Sequence, residues 1–405
     1  MKISTLLKRE PFAEIFEKTL TSFLSSWIGT THKVIWEKRI GYGQNLRSQQ
    51  KWYCNPLINS VFVKGVNKDV FEPINGEYTA NPTKPWRSMI QKIYVTLSQS
   101  KLTSLILSKY VVKISPHVPF AENKLIIGGN TKLRLLDVAE KKVFVLLKDG
   151  FDKSYIERDF YVRKNFPYLP IPKIIDSGSD GTWFCEELVS GVPPNRLDRA
   201  YKEEKLLQAV NCIHQMLIET KRDVILSKYI EALTRRIYEG ISQIQHMKKD
   251  VKSDLKDITL KLVSLLHGYE DQVFTVAYCH GDFHQGNVLA NKDSFWILDW
   301  EYSGEKQIGY DLLVLLIESR IEKGFAERFL KIVKNQFDNL QNSLIDNWPE
   351  LDRENGSIKK VNLVVFLLED LLFHLNESKN DLFFSNSEIL KLRRDELKKI
   401  VDNLS

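Results

Sequence analysis

Apolar positions change their spacing along the chain, and the changes mark out its architecture. Near the start, Phe12, Ile15, Phe16, Leu20, Phe23 and Leu24 recur at intervals of three and four, which gathers them on one face of an amphipathic helix. Short β-like runs follow, then a Pro- and Asn-bearing stretch around Pro73 to Pro85. From about residue 119 to 190 the period is that of strands: Leu125–Ile127, Leu133–Leu136, Val143–Leu147 and Trp183–Val189, with turns at Gly128-Gly129 and Asp180-Gly181. One helix interrupts them, over roughly Ser154–Asn165. Beyond about residue 200 the spacing is helical again, through Leu206, Leu207, Val210, Ile213 and Leu217 and through Leu255 to Leu266.

This pattern predicts an α+β chain in three parts. Residues 1–118 form an accessory N-terminal region whose role is not legible, 119–190 a small β-rich lobe, and 191–405 a larger helical lobe. A conspicuous non-helical insertion, Phe274 to Tyr302, breaks the helical part and holds most of its chemically capable residues. A loop inside a helical lobe has a reason to exist other than connection.

Composition narrows the function. With 43% hydrophobic and 27% charged residues the 405-residue chain buries a sizeable core. Its net charge of +6 is a mild bias without a basic block, which argues against a nucleic-acid partner. The mixed-sign run Lys391 to Lys399 reads as a solvated helix face. Cys54, Cys185, Cys212 and Cys279 are too widely spaced for a zinc finger or a disulfide framework. No apolar run approaches the ~20 residues of a membrane span, so the expectation is a cytoplasmic protein. Oligomeric state is not readable.

The insertion reads Tyr278-Cys279-His280-Gly281-Asp282-Phe283-His284-Gln285-Gly286-Asn287-Val288-Leu289-Ala290 and ends Phe295-Trp296-Ile297-Leu298-Asp299-Trp300-Glu301. Val288–Ala290 and Phe295–Leu298 flank a polar turn and read as a hairpin, which folds Asn287 and Asp299 back toward each other. Phosphoryl transfer needs a carboxylate to take the acceptor's proton and oxygen ligands to hold magnesium against a triphosphate. Asp282 suits the base, Asn287 and Asp299 the metal, and His280 positions the loop by bonding to nearby backbone.

His280-Gly281-Asp282, an Asn five residues on, and a hairpin ending in Asp299-Trp300-Glu301 resemble the aminoglycoside phosphotransferase and choline kinase superfamily, distant relatives of protein kinases. The resemblance covers about 120 to 330. It implies a two-lobed protein-kinase-like fold, ATP and Mg2+ as cofactors, and a small-molecule hydroxyl of aminoglycoside, choline or sugar type as acceptor. It further implies that Lys148 holds the α- and β-phosphates and pairs with a helix carboxylate. Glu157 and Asp159 both qualify, with a slight preference for Glu157. Adenine would meet backbone around Glu187 to Val189, and Asp311 would buttress the catalytic loop, unless it serves only as an acidic residue in a helix's first turn. Gly128-Gly129-Asn130-Thr131 is not the usual phosphate-covering glycine loop. Glu301, Glu305, Glu318, Glu369 and Asp370 are available to recognise a cationic acceptor.

Two other functions stay in view. A kinase-like protein that binds nucleotide without turnover would share the fold. A metal-dependent hydrolase would use His280, Asp282 and His284 as ligands, but would leave Asn287 and Asp299 without a task.

Overall fold

The computed structural model describes residues 1–39, 49–72, 85–100, 103–348, 351, 353, 354, 357–384 and 387–404. The chain divides into two compact units: unit 1 is Met1–Glu157 with Pro172–Gly191, and unit 2 is Arg158–Ile171 with Val192–Ser405. Most of the stretch expected to be Pro- and Asn-bearing, residues 73–84, lies outside the described residues.

Unit 1 begins with helices α1 (Ile3–Arg9) and α2 (Phe12–Ile28). The six apolar residues that predicted an amphipathic helix are all buried on α2. The helix stops at Gly29, whose φ of 75° is the left-handed conformation that favours glycine after a last turn. Strands β1 (Lys33–Lys38), β2 (Gln50–Asn55) and β3 (Ser60–Val63) follow, then helices α3 (Pro85–Gln99) and α4 (Thr103–Leu107) and strand β4 (Tyr110–Ser115). Next come β5 (Lys124–Gly128), β6 (Lys132–Asp137), β7 (Lys142–Leu147), helix α5 (Ser154–Asn165), β8 (Ile174–Ser177) and β9 (Trp183–Glu187). Helix α5 has the limits its sequence suggested, and it runs across the boundary between the units.

All nine strands pair antiparallel in one sheet, in the order β1-β4-β2-β3-β5-β6-β7-β9-β8. This corrects the boundary expected at residues 118/119. Residues 1–118 supply four strands of that sheet and the two helices α1 and α2. The junction between β3 and β5 is a single register pair, Val61 with Ile126. Buried Asn59 extends it with its side-chain amide, which donates to the Gly128 carbonyl at 2.9 Å and accepts from the amides of Ile3 (2.9 Å) and Gly128 (3.2 Å). An amide side chain thus continues a ladder that the backbone leaves incomplete.

Helix α2 packs on the β7–β9 part of the sheet through Phe23, which meets the rings of Phe144 and Trp183 at 5.3 and 5.4 Å. The short connection from α1 to α2 places Glu10 on Lys148, and both side chains are fully buried. A buried charge is tolerable only with such a partner.

Unit 2 contains α6 (Arg199–Thr220), β10 (Arg222–Ile225), α7 (Leu226–Gln243), α8 (Lys249–Ser264) and β11 (Val273–Cys279). They precede the hairpin strands β12 (Val288–Ala290) and β13 (Phe295–Ile297), then β14 (Gly304–Gln307). Helices α9 (Tyr310–Ile317), α10 (Phe325–Val333), α11 (Asn339–Asp346), α12 (Lys360–Ser378) and α13 (Ser387–Leu404) complete it. The apolar stripes expected on α6 and α8 are buried at Leu206, Val210, Ile213 and Leu217 and at Leu255, Ile258 and Leu262. Every residue of α9 is buried, and α12 is buried nearly all round, so these two helices form the centre of the unit's core.

The charged run on α13 is only in part the solvated face its sequence suggested: Lys391, Lys398 and Lys399 are exposed. Arg393 is fully buried, and Arg394 and Glu396 are nearly so. Among the described residues no helix is long and apolar enough to cross a membrane.

Replacing Glu10 by Ala leaves the Lys148 ammonium buried without its carboxylate, a change that costs about 3–5 kcal/mol where an ion pair is enclosed in this way. Urea unfolding followed by tryptophan emission should show that loss, and a shift below about 1 kcal/mol, the value of an exposed pair, would show that Glu10 does not hold Lys148.

Candidate active site

Strand β11 lies between β10 and β14 and delivers the chain to His280. The next two backbone amides converge on one side chain. His280 N–H donates to Asp311 Oδ2 at 2.7 Å and Gly281 N–H to Asp311 Oδ1 at 2.9 Å. Asp311 sits in the first turn of buried α9, so the two roles weighed for it coincide: it is an acidic first-turn residue and also the support of the loop. Burial pushes its carboxyl's proton affinity up, while His280 and the two amides oppose that rise.

His280 is fully buried, and both its ring nitrogens serve backbone groups. Nε2 bonds to the Leu298 carbonyl at 2.8 Å, and Nδ1 accepts the Asp282 amide at 3.2 Å. An acceptor Nδ1 beside an Nε2–H donor is the neutral tautomer, and burial lowers the ring's pKa in the same direction. His280 therefore has no lone pair left for a metal, which removes a ligand that the hydrolase alternative needs. His284 is likewise engaged at Nδ1, which accepts the Gly286 amide at 3.0 Å.

The geometry of this loop requires glycine at position 281. Its φ is +83°, and a Cβ there would lie 2.0 Å from the Tyr302 carbonyl oxygen. Both the conformation and the space exclude any other residue.

The hairpin forms as expected, with Val288 opposite Ile297 and Ala290 opposite Phe295. Leu298 N–H donates to the Asn287 carbonyl at 2.8 Å, so Asn287 and Asp299 flank the open end of the ladder. The Asn287 side-chain amide donates to the Asp282 carbonyl (2.9 Å) and to Asp282 Oδ2 (3.1 Å), which directs its Oδ1 away from Asp282. Asp299 has φ +60°, a left-handed conformation that Asp tolerates better than most residues and one that the sequence does not announce.

Asp282 has one further partner that sequence reasoning missed. Arg320 Nε donates to its Oδ1. Burial acts to raise the Asp282 carboxyl, but the Arg320 guanidinium and His284 outweigh it and hold the group well below the usual carboxylate range. No local motif marks Arg320, which follows the left-handed cap of α9 at Glu318 and is brought to the loop only by the folding of α9.

Of the residues expected to meet the nucleotide, Lys148, Glu157, Glu187 and Val189 lie in unit 1 and Asp159 in unit 2. Lys148 is buried, and its ammonium donates to Glu10, to the Asn130 carbonyl (2.7 Å) and to the Gly129 carbonyl (3.3 Å). Arg9 holds the same turn, reaching Glu10 Oε2 at 2.7 Å and the Asn130 carbonyl at 3.1 Å. The carboxylate that unit 1 gives Lys148 is thus Glu10, a residue the sequence did not single out. Of the two expected partners Glu157 is exposed, which counts against the preference for it, whereas Asp159 is buried and pairs with Arg163 at 2.8 Å.

Strand β9 ends at Glu187 rather than Val189. Glu187 N–H donates to the Lys173 carbonyl at 3.0 Å and Leu188 N–H to the Lys141 carbonyl at 2.8 Å, so both amides serve the sheet edge. The carboxylates expected to recognise an acceptor are also largely committed: Glu305 forks onto Arg222 at the surface, Glu369 accepts from Tyr229 and from the Gln307 amide, and Asp370 is buried against arginines.

The choline/ethanolamine kinase family model matches residues 192–378, most of unit 2. The matched segment, which is under half of the chain, is similar to a choline/ethanolamine kinase domain. No curated protein matches the chain by sequence. Among solved structures, the choline kinase LicA from Streptococcus pneumoniae superposes with a TM-score of 0.45 at 12% identity, over 71% of this chain and 92% of that one. A choline/ethanolamine kinase family protein from Mesorhizobium loti gives 0.45 at 14% identity, over 78% and 94%. A thermostable mutant of the aminoglycoside phosphotransferase APH(4)-Ia, in ternary complex with ADP and hygromycin B, gives 0.47 at 16% identity, over 69% and 93%. The architecture is α+β as expected, with a β-rich unit and a larger helical one.

Gly281→Ala places a methyl group against the Tyr302 carbonyl and forces the loop to move. Turnover should fall to background while far-ultraviolet circular dichroism stays unchanged. An active Gly281→Ala enzyme would mean that the loop tolerates displacement and that its geometry is not what catalysis requires.

Proposed function

We propose that this chain transfers the γ-phosphoryl group of ATP to a hydroxyl of a small molecule of choline, aminoglycoside or sugar type, with Asp282 as the base. The observation that carries this reading is the arrangement of Asp282 and Asn287. A carboxylate is fixed by a loop whose backbone hangs on Asp311, and the neighbouring Asn presents its oxygen elsewhere. The similarity of residues 192–378 to the choline/ethanolamine kinase family supports the reaction class.

The donor set suits magnesium. Asn287 Oδ1 and the Asp299 carboxylate are hard oxygen ligands, and both Asn287 N–H groups are already directed at Asp282. These two residues would hold the ion, which when bound supplies charge neutralisation to the phosphates. Asp282 orients the acceptor hydroxyl and takes its proton as the phosphoryl group arrives in line. The rate comes mainly from positioning, since the transition state is loose. His280 contributes by holding the loop to Leu298, not by exchanging protons. In unit 1, Lys148 would bind the triphosphate, and adenine would be read at Val189, the amides of Glu187 and Leu188 being engaged.

One observation favours the alternative of a nucleotide-binding protein without turnover: the Lys148 ammonium donates to three protein acceptors. ADP release from MgATP in a panel of hydroxyl acceptors, with water as the reference, separates the two.

Asp282→Asn should lower turnover by about 10²–10⁴-fold, the usual range for a positioned base, and Asp299→Asn should lower it through loss of a metal ligand. Calorimetric titration of ATP with and without magnesium should show metal-dependent binding weakened by Asp299→Asn and unchanged by Asp282→Asn. Equal effects of the two variants on metal-dependent binding would exchange or dissolve the assigned roles.

A further inference from the structure

Resting on the reading of Asp282 as the base, we infer that Arg320 is a positioning residue for phosphoryl transfer: it clamps Asp282 Oδ1, leaves Oδ2 to the acceptor hydroxyl, and is itself braced by Arg393 of the C-terminal helix α13. The argument begins with a count of donors. A guanidinium has five N–H groups in a rigid fork. In Arg320 all five have partners within the protein. Nε donates to Asp282 Oδ1, Nη1 to Asp370 Oδ1 (2.9 Å) and Ser319 Oγ (3.0 Å), and Nη2 to the Gly281 carbonyl (3.0 Å) and Tyr310 Oη (3.2 Å). The Phe373 ring lies 3.6 Å from its central carbon and closes one face. An arginine so engaged has no donor left for a phosphate or an anionic acceptor. Whatever it does for the reaction, it does through Asp282 and the loop.

The two Asp282 oxygens are consequently unlike. Oδ1 is held by Arg320, whereas among the described residues Oδ2 meets the Asn287 amide at 3.1 Å and His284 Nε2 at 3.7 Å. Because Arg320 also grips the Gly281 carbonyl, it fixes the backbone before Asp282 and the side chain of Asp282 together.

The clamp has its own support. Asp370, fully buried on α12, pairs with Arg320 at 2.9 Å and with Arg393 at 3.2 Å. Arg393, fully buried on α13, donates to the Ser319 carbonyl at 2.7 Å, pairs with Glu322 at 3.1 Å and lies 4.0 Å over the Phe325 ring. The charges alternate from Asp282 through Arg320, Asp370 and Arg393 to Glu322, which is how buried ions are kept mutually compensated. His374 stands beside this chain, 3.7 Å from both Asp370 and Glu322. Helix α13 lies beyond residue 378, where the family match ends, so the last support of the base comes from the chain's own C-terminal helix.

The test uses the full chain and three variants: Arg320→Lys, Arg320→Met and Arg393→Lys. A lysine keeps the charge but cannot reach five acceptors from one point. With MgATP and the most active hydroxyl acceptor, Arg320→Lys should lose kcat by about 10²-fold, the scale of an ångström's misplacement, while KM for ATP changes less than twofold. Arg393→Lys should show a smaller loss of the same kind. A kcat within twofold of the parent, or a loss confined to KM, overturns the inference. Crystal structures of Arg320→Lys and Arg320→Met give a readout independent of turnover. Asp282 should leave its contact with Asn287, and an unmoved Asp282 overturns the inference even if the parent proves inactive. Inactivity of the parent with every acceptor would instead count against the proposed reaction.

Discussion

Two backbone amides on one buried carboxylate hold the active loop in place. Asp311 can receive His280 and Gly281 together only because α9 begins where β14 ends and is packed on every side. A buried carboxylate without donors would be costly, and two buried amides without an acceptor equally so. Each side of the contact therefore makes the other affordable, and the loop inherits the rigidity of the core helix. From that fixed point His280 ties the loop to Leu298, Gly281 turns the backbone under the Tyr302 carbonyl, and Asp282 meets Asn287.

The N-terminal residues illustrate a second constraint, completion of a sheet. A ladder with one register pair between β3 and β5 is weak by itself, and Asn59 supplies the missing bonds from a side chain. The same segment brings Arg9 and Glu10 to the Gly129-Asn130 turn and to Lys148. What looked like an added region is a structural part of the β-rich unit, and it encloses the lysine expected to meet the nucleotide.

Burial of charge gives unit 2 its third feature. Arg320, Asp370 and Arg393 lie within or beside the core, and each is acceptable there because the next charge is opposite. Such a chain of ions has few alternative arrangements, which suits the task of holding one carboxylate in one orientation.

The sequence alone marked out the candidate chemical residues, because they lie close together along the chain. His280 to Asp299 is one continuous stretch whose short hairpin brings its own ends together, so Asp282, Asn287 and Asp299 could be chosen from spacing and residue type. Helices α2, α5, α6 and α8 and strands β5 to β7 were legible for the same reason, their periodicities being properties of neighbouring residues. Tertiary structure alone decided who stands behind them. Glu10 reaches Lys148 across 138 positions and Arg320 reaches Asp282 across 38, and Arg393 looked like part of a solvated face until α13 buried it. No period or motif relates residues so far apart. Their meeting is fixed by how helices and strands pack, and a buried ion pair leaves no mark on the sequence beyond two charges in unremarked places.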